Sequence, residues 1–143
     1  MNDLETFCKI EEECFTREPF SEEQIAYFLG SSKAVSLKAQ VDGEMAGFVL
    51  GLIERSGNLL VGHIYTLDVA PRYRRIGIGV RLLEEVENSF RREDAEACVL
   101  EVRVSNLVAR KLYRKQGYIE RRKLDNFYAK GIHGIQLEKK LKK

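Results

Sequence analysis

Three arginines and two glycines stand immediately before an amphipathic stretch, in the segment DVAPRYRRIGIGVRLLEEVE. The arginines are Arg72, Arg74 and Arg75, and the glycines are Gly77 and Gly79. Glycine lets a bound group come close to the backbone, and the first turn of a helix presents N–H groups without helical partners at the positive end of its dipole. Cations, open amides and a helix N-terminus together predict an anion site, for which a phosphate is the best match.

The segment differs from two common phosphate-binding loops. A P-loop requires G-x-x-x-x-G-K-[ST], which the sequence lacks, and a dinucleotide fingerprint requires G-x-G-x-x-G. Gly77-Ile78-Gly79 is followed by Val80-Arg81-Leu82, so the third glycine is missing. The spacing therefore argues against nucleoside triphosphates and NAD. Taken alone, the loop is equally consistent with an arginine-rich surface turn.

Composition limits the class of protein. A chain of 143 residues predicts one domain, residues 1–143, with a substantial core. The net charge of +2 is too small to indicate nucleic-acid binding. There is no apolar run near ~18 residues and no signal-like start, so we expect a cytoplasmic protein without a membrane partner. Three cysteines without a C-x-x-C pair predict neither a disulfide framework nor a metal site.

The first half of the chain predicts two helices followed by three strands. NDLETFCKIEEECF and SEEQIAYFL have helical spacing, and the second begins with a capping-box pattern. The strands are KAVSLKAQV, EMAGFVLGLIE and LLVGHIYTLDV, and Asp42-Gly43 is a strong hairpin signal between the first two. No strand is predicted before the first helix.

The second half alternates helices and strands. Ile78, Leu82, Val86 and Phe90 form one helical stripe after the glycine-arginine loop. ACVLEVRVS alternates as a strand, and a helix over 106–116 ends at Gly117. YIERRKL and HGIQLEKKL predict two closing strands around a loop, DNFYAKGI. We therefore expect an α/β (α+β) fold with a mixed central sheet and about four helices.

Two longer motifs resemble those of the GNAT acyltransferase superfamily. Arg74-x-x-Gly77-x-Gly79, between a strand ending TLDVAP and a long helix, is similar to the acetyl-coenzyme A pyrophosphate loop of that superfamily. LEVRVSNLVARKLYRKQGY (100–118) resembles the second signature of its protein N-terminal branch, which includes the bacterial ribosomal-protein alanine acetyltransferases and archaeal N-terminal acetyltransferases. IEEECF with PFSEEQ, and NFY near the C-terminus, are also similar. The predicted absence of a first strand departs from the superfamily pattern.

The resemblance implies that acetyl-coenzyme A is the acetyl donor and that no metal is needed. Main-chain amides of the loop would hold the pyrophosphate, and the end of the preceding strand would bind the pantetheine and acetyl oxygen. Asn106 would contact the same molecule, or serve only as the N-cap of its helix. The implied cofactor-binding residues are Leu67, Asp68, Val69, Arg74, Arg75, Ile76, Gly77, Ile78, Gly79, Val80 and Asn106.

The resemblance also implies two catalytic residues. Glu101 matches the general base of the branch, and Tyr113 matches the acid that protonates the leaving thiolate. An α-amine has an unperturbed pKa of ~7.7–8.0, so a carboxylate, directly or through one water, suffices to remove its proton. Without the resemblance, Glu101 reads as a solvated strand carboxylate and Tyr113 as a core residue.

Three further residues are predicted to face the substrate. They are Phe15 in the N-terminal motif, His63 in the third strand and Tyr128 in the last hairpin. A buried structural histidine and a packing tyrosine are the alternative interpretations of His63 and Tyr128. Cys98 alternates with Glu101 along its strand, so we expect it on the opposite, core face.

These motifs predict transfer of acetyl from acetyl-coenzyme A to the N-terminal α-amine of proteins, by direct attack in a ternary complex. Protein or peptide N-termini, ribosomal proteins among the candidates, are the expected partners of a monomer or weak dimer. Two alternatives stay open at this point. One is a GNAT enzyme for lysine side chains or small amines, and the other is a non-catalytic coenzyme A-binding module.

Overall fold

The computed structural model describes Glu23, Ala26, Gly30, residues 33–74 and residues 76–142. The two helices predicted near the N-terminus lie outside these residues, except for the three single positions, which are helical. The prediction that no strand precedes them also falls outside the described part of the chain.

The described part of the chain contains six strands, two α-helices and one 3₁₀ turn, in the following order. They are β1 (Ala34–Val41), β2 (Glu44–Ser56), β3 (Leu59–Val69), the 3₁₀ turn (Pro71–Tyr73), α1 (Ile78–Arg92), β4 (Ala97–Arg103), α2 (Leu107–Lys115), β5 (Ile119–Ala129) and β6 (Ile132–Lys140). None of the helices in the described ranges is both long and apolar enough to cross a bilayer.

The strands form one mixed sheet in the order β1-β2-β3-β4-β6-β5, which confirms the predicted fold class. All neighbours are antiparallel except β3 and β4. The predicted hairpin joins β1 to β2, with positive φ at both Asp42 and Gly43. Two consecutive positive φ values have the twist that adjacent antiparallel strands require.

The single parallel junction is short. Only Val61 to His63 of β3 pair with Ala97 to Val99 of β4. Beyond these pairs β3 continues to Val69 and β4 continues to Arg103. The two strands therefore separate towards their C-terminal ends and leave an opening in the middle of the sheet.

Helix α1 covers one face of the sheet with the predicted apolar stripe. Leu82, Val86 and Phe90 are buried, and Ile78 packs at the edge of the same core. The Phe90 ring lies over β3 so closely that a Cβ at Gly62 would be 2.1 Å from its Cδ2 atom. Glycine at that position lets the helix approach the strand that carries His63.

Helix α2 begins and ends where the sequence predicts. Asn106 caps it, because its Oδ1 accepts a hydrogen bond from the Ala109 amide at 3.1 Å. Gly117 follows the helix with a φ of 98°. Tyr113 and Tyr118, on either side of this end, pack edge to face with their ring centroids 5.6 Å apart.

The predicted loop DNFYAKGI is wrong over most of its length. β5 continues to Ala129 and β6 starts at Ile132, so only two residues connect them. The residues predicted as a loop instead lie in β5, where the pairing register with β6 shifts between Leu124 and Ala129. Asn126 has a φ of 55° there, and its Oδ1 accepts a hydrogen bond from the Gly131 amide at 2.7 Å.

Candidate active site

The main chain of β3 borders the opening between β3 and β4. The Ala70 amide donates to the Ala46 carbonyl of β2 at 2.8 Å. Successive N–H groups of a strand point to opposite sides, so those of Leu67 and Val69 point towards the side from which β4 has separated. These are the main-chain groups that the sequence assigned to the acetyl oxygen and pantetheine.

A row of polar side chains crosses four neighbouring strands beside this opening. Glu54 Oε1 lies 2.7 Å from His63 Nδ1, and His63 Nε2 lies 2.7 Å from Glu101 Oε1. Gln136 Nε2 donates to Glu101 Oε2 at 3.2 Å. At the other end of the row, the Tyr65 hydroxyl donates to Glu54 Oε2. Glu101 is thus held on both oxygens.

The sheet register explains why these residues meet. His63 is paired with Leu52 of β2 and with Val99 of β4. Glu54 and Glu101 each lie two residues beyond those partners, on the same face of the sheet. Gln136 is the direct partner of Glu101 on β6. Side chains at such positions on neighbouring strands are close enough for polar contact.

Exposure decreases along the row from Glu54 to Glu101. The Glu54 side chain is 40% exposed, that of His63 16% and that of Glu101 11%. Burial opposes the charged form of His63, but hydrogen bonds and charges from Glu101 and Glu54 outweigh it. The pKa of His63 is therefore raised above its ordinary value of 6.5.

Tyr128 lies beside the same row. Its pKa is raised to about 12, first by burial and then by the negative charge of Glu101. The Arg103 guanidinium lies 5.4 Å from its ring centroid, and Phe127 packs against its edge. The position of Tyr128 near Glu101 is compatible with the predicted wall of the substrate site.

Tyr113 lies on the other face of the sheet from Glu101. It is buried in the apolar cluster under α1, with Cys98, Leu100 and Val102. Burial raises the pKa of its hydroxyl, and the neighbouring Cys98, Asp68 and Tyr128 raise it further. Glu101 and Tyr113 share no hydrogen bond in the described part of the chain.

The glycine-arginine loop leads into α1 at the end of β3. Gly77 is the N-cap of α1 with a φ of 88°, and no atom of the described residues lies within 4 Å of where its Cβ would be. A Cβ at Gly79 would meet only Val69 and Leu67, at ordinary contact distances. The first turn of α1 carries no acidic residue. An open helix start without acidic residues, preceded by arginines, is the local structure expected for an anion site.

The other predicted cofactor-binding residues of the loop and of the end of β3 differ in exposure and contacts. Arg74 Nε donates to the Val69 carbonyl at 3.0 Å, which fixes the loop to the end of β3. Ile76 is exposed, whereas Ile78 and Val80 are half-buried at the start of α1. The Asp68 side chain is buried and accepts a hydrogen bond from Thr66 Oγ1, and the strand alternation directs its main-chain groups towards β2 rather than towards the opening. Arg75 and Phe15 lie outside the described residues.

A second polar cluster lies beneath α1, away from the opening. The buried Glu87 carboxylate accepts from the Tyr118 hydroxyl at 2.8 Å and from Lys139 Nζ at 3.0 Å. Cys98 Sγ is 3.1 Å from the same hydroxyl, and burial raises the pKa of this thiol to about 12. Cys98 lies on the core face, as the strand alternation predicts, and is not a nucleophile.

No group of three or more metal-ligating side chains comes together among the residues that the structure describes.

Comparison with known proteins agrees with this geometry. Residues 4–118 match the acetyltransferase (GNAT) family. The chain is 37% identical over 139 residues to an uncharacterised N-acetyltransferase of Methanocaldococcus jannaschii, covering 96% of this chain and 86% of that protein. It is also 37% identical over 108 residues to an N-alpha-acetyltransferase of Sulfurisphaera tokodaii, covering 69% of this chain and 65% of that protein.

The chain belongs to the GNAT acetyltransferase family.

Solved structures support the fold of this GNAT protein. The ribosomal-protein-S18-alanine N-acetyltransferase of Escherichia coli superposes with a TM-score of 0.87 at 24% identity, over 99% of this chain and 89% of that one. A chain of the NatC complex bound to Gag peptide and CoA superposes with a TM-score of 0.83 at 25% identity, over 97% and 92% respectively. The resemblance to the GNAT superfamily predicted from the motifs is confirmed.

GNAT acetyltransferases use acetyl-coenzyme A, and the residues of this chain fit that molecule. The open space at Gly77 and the N-terminus of α1 suit its pyrophosphate. The separation of β3 and β4 exposes the β3 edge along which an extended pantetheine would lie.

Glu54, Tyr65 and Gln136 were missed by the sequence analysis. The Ser-Gly-Asn turn between β2 and β3 sets the pairing of Ser56 with Leu59, and counting back from it would have placed Glu54 near His63. No comparable signal exists for Gln136, because β4 and β6 pair across more than 30 residues of sequence.

Proposed function

We propose that this GNAT acetyltransferase transfers acetyl from acetyl-coenzyme A to the N-terminal α-amine of proteins. The observation that carries the proposal is the Glu101 carboxylate, held by His63 and Gln136 beside the opening between β3 and β4. The 37% identity to an archaeal N-alpha-acetyltransferase supports the same substrate class.

Glu101 acts as the proton acceptor. A free α-amine has an unperturbed pKa of ~7.7–8.0, so part of it is neutral near pH 7 and the remainder loses its proton readily. Lysine, at ~10.4, presents a much larger barrier to the same base. The contacts with His63 and Gln136 fix the orientation of Glu101, and this lowers the cost of aligning it with the amine.

The leaving sulfur is stabilised from the other face of the sheet. Acetyl-coenzyme A supplies the acetyl group as a thioester. Burial keeps the Tyr113 hydroxyl protonated, so it remains a donor throughout the working pH range. A hydroxyl with a raised pKa gives up its proton reluctantly, and its main contribution is a hydrogen bond to the charge that develops on sulfur.

Main-chain amides complete the site. The N–H groups of Leu67 and Val69 point to the side of the opening and are candidates for stabilising the acetyl oxygen. The first turn of α1 would hold the pyrophosphate, with Arg74 anchoring the loop to β3. Asn106 caps α2 just after the turn that follows β4, and its proposed contact with the cofactor is compatible with that cap.

Protein N-termini, ribosomal proteins among them, are the proposed partners, and the cytoplasm is the proposed location. The single-domain organisation of residues 1–143 and the monomer or weak dimer stay predictions. The E. coli structural neighbour acts on a ribosomal protein according to its name, which makes ribosomal N-termini a reasonable first set of substrates.

Acetylation of a peptide library, with and without blocked α-amines, tests the proposal. Each peptide carries one internal lysine, and mass spectrometry locates the acetyl group. We expect acetylation at free α-amines and little at lysine. Acetyl groups mainly on lysine in both sets would refute the N-terminal substrate class and leave the GNAT family assignment intact.

A further inference from the structure

Both ring nitrogens of His63 face a carboxylate oxygen at 2.7 Å. A neutral imidazole has one N–H donor and one acceptor nitrogen, whereas an ionised carboxylate only accepts. Two contacts of this length therefore require two protons in the row. Either His63 is an imidazolium between two carboxylates, or one of the carboxyl groups holds a proton.

The two carboxylates are not equivalent. Glu101 is nearly buried at the opening, and its second oxygen is bound by Gln136. Glu54 lies on the side of His63 away from β4, is 40% exposed, and receives the Tyr65 hydroxyl on its second oxygen. Tyr65 also stacks on the imidazole with ring centroids 4.1 Å apart. Glu54 thus contacts the ring without reaching the opening.

We propose that Glu54 is a positioning residue of the base: it holds Nδ1–H of His63 so that Nε2 shares with Glu101 the proton removed from the substrate amine. The inference rests on the proposed function for the identity of the amine. The arrangement places a carboxylate behind a histidine, which fixes the tautomer and orientation of the ring and stabilises its charged form.

The proton balance is simple. In the form that accepts a proton, His63 is neutral, with its proton on Nδ1 and directed at ionised Glu54. The amine proton passes to Glu101 and becomes shared between Glu101 Oε1 and His63 Nε2, so that the row gains one positive charge. After the product leaves, this proton returns to solvent through the vacated site.

This pairing strengthens the base. A free glutamate side chain has a pKa of ~4.3, far below the ~7.7–8.0 of an α-amine, so a lone carboxylate holds the proton poorly. His63 is a stronger base than a free histidine, because the attraction of both carboxylates outweighs the effect of burial on its pKa. General-base catalysis is most effective when the pKa of the base is near the working pH.

The charged and titratable groups around the imidazole come from four strands of the described structure. They are Glu54 on β2, Tyr65 on β3, Glu101 and Arg103 on β4, and Tyr128 on β5. Burial lowers the pKa of His63, and of these groups Glu101 and Glu54 raise it, so we expect removal of the Glu54 charge to lower that pKa.

The pH profile of kcat/KM in Glu54→Gln tests the inference. Glutamine keeps the shape and can still accept the Nδ1–H bond, but it carries no charge. We expect the plateau of kcat/KM to fall roughly 10-fold, less than the roughly 10²–10⁴-fold effect of removing a general base itself, because Glu54 only positions the base. The acid limb should move to lower pH, because His63 becomes free to accept a proton at lower pH. Glu54→Asp, which keeps the charge, should shift the limb less.

Glu138→Gln is the matched control. Glu138 is a half-exposed strand carboxylate, 32% exposed and 3.9 Å from Arg121, and it should leave the profile unchanged. The amine ionises identically with every variant, so a displaced limb comes from the protein. A uniform loss of activity with the acid limb unmoved would mean a structural role and would overturn the proposal.

NMR titration of the His63 ring nitrogens, without substrate, separates this inference from the proposed function. In Glu54→Gln the pKa of His63 should be lower than in the wild-type protein, and an unchanged value would refute the role of Glu54. If the wild-type protein acetylates no α-amine, the proposed function fails. The pH profiles are then measured with the amine that it does accept.

Discussion

Glu101 and Glu87 are both withdrawn from solvent, and each has two side-chain partners within hydrogen-bond distance, yet their surroundings differ. Glu87 lies under α1 in the closed part of the sheet, where Lys139 and Tyr118 satisfy it. Glu101 lies at the opening, where its partners are His63 and Gln136. The first carboxylate has a fixed cation as its partner, and the second has a group that can exchange a proton.

The difference shows what makes a buried carboxylate useful for chemistry. A lysine beside a carboxylate stabilises its charge without offering proton exchange near neutral pH, because lysine has an unperturbed pKa of ~10.4. A histidine titrates within the physiological range, and a gap in the sheet admits a substrate. β4 and its neighbours carry both arrangements, one on each face.

Exchanging each carboxylate for an amide would sharpen this comparison most. In Glu101→Gln we expect kcat to fall by roughly 10²–10⁴-fold, the usual scale of general-base catalysis, with little change in acetyl-coenzyme A affinity. Some activity should return as pH rises, because more of the amine is then already neutral. Steady-state kinetics across pH and calorimetric titration with acetyl-coenzyme A measure these effects.

Glu87→Gln is the counterpart on the closed side. The variant should have a kcat within a few-fold of the wild-type value. Its free energy of unfolding should be lower by about 1.5–3 kcal/mol, because the buried hydrogen bonds from Lys139 and Tyr118 lose their charged acceptor. Urea denaturation measures the free energy of unfolding.

Wild-type kcat in a folded Glu101→Gln protein would rule out Glu101 as the base.

The two packed tyrosines provide a smaller contrast. Tyr113→Phe removes only the hydroxyl that we propose stabilises the leaving sulfur, and we expect kcat to fall by about 10²-fold with stability nearly unchanged. Tyr118→Phe removes the donor to Glu87, so it should cost about 1–3 kcal/mol of stability and leave kcat nearly intact. The two substituted tyrosines are only five residues apart in the sequence. Equal effects of the two substitutions on kcat would contradict the assignment of Tyr113 to the active site and of Tyr118 to the Glu87 cluster under α1.

The smallest expected effect compares two glycines with positive φ. Gly77→Asp puts a carboxylate where a pyrophosphate would bind, and we expect acetyl-coenzyme A affinity to fall by about 10–100-fold through like-charge repulsion. Gly57→Asp, in the β2–β3 turn, has a similar φ of 61° and open space, so it controls for backbone strain. Calorimetry should show normal affinity in the control, and equal affinity in both variants would remove the loop from the site.

Several features were determined by the sequence alone because they depend on neighbours a few residues apart. The Asp42-Gly43 hairpin, the apolar stripe of α1, the Asn106 cap and the glycine-containing helix start at Gly77 are of this kind. The motifs around them also identified the family, and Glu101 and Tyr113 were named before any geometry. Their roles as base and acid stay predictions.

Local signals gave the wrong answer in β5. Asp125, Asn126 and Gly131 are residues typical of loops, and they predicted a long connection. In the structure, pairing with β6 keeps the segment in the sheet, and Asn126 accommodates the extra residues through its own hydrogen bonds and a bond from its amide to His133 Nδ1. Tertiary pairing thus overrode the local preference.

Only the tertiary structure decided which side chains meet at the opening. Glu54, His63, Glu101 and Gln136 come from four strands, and their contacts follow from the strand order and register. Both depend on how distant segments bury their apolar faces together, which no window of the sequence contains. The sequence therefore predicted a cofactor loop and two candidate catalytic residues, whereas the packing of the sheet decided that Glu101 has a histidine as its partner and Glu87 a lysine.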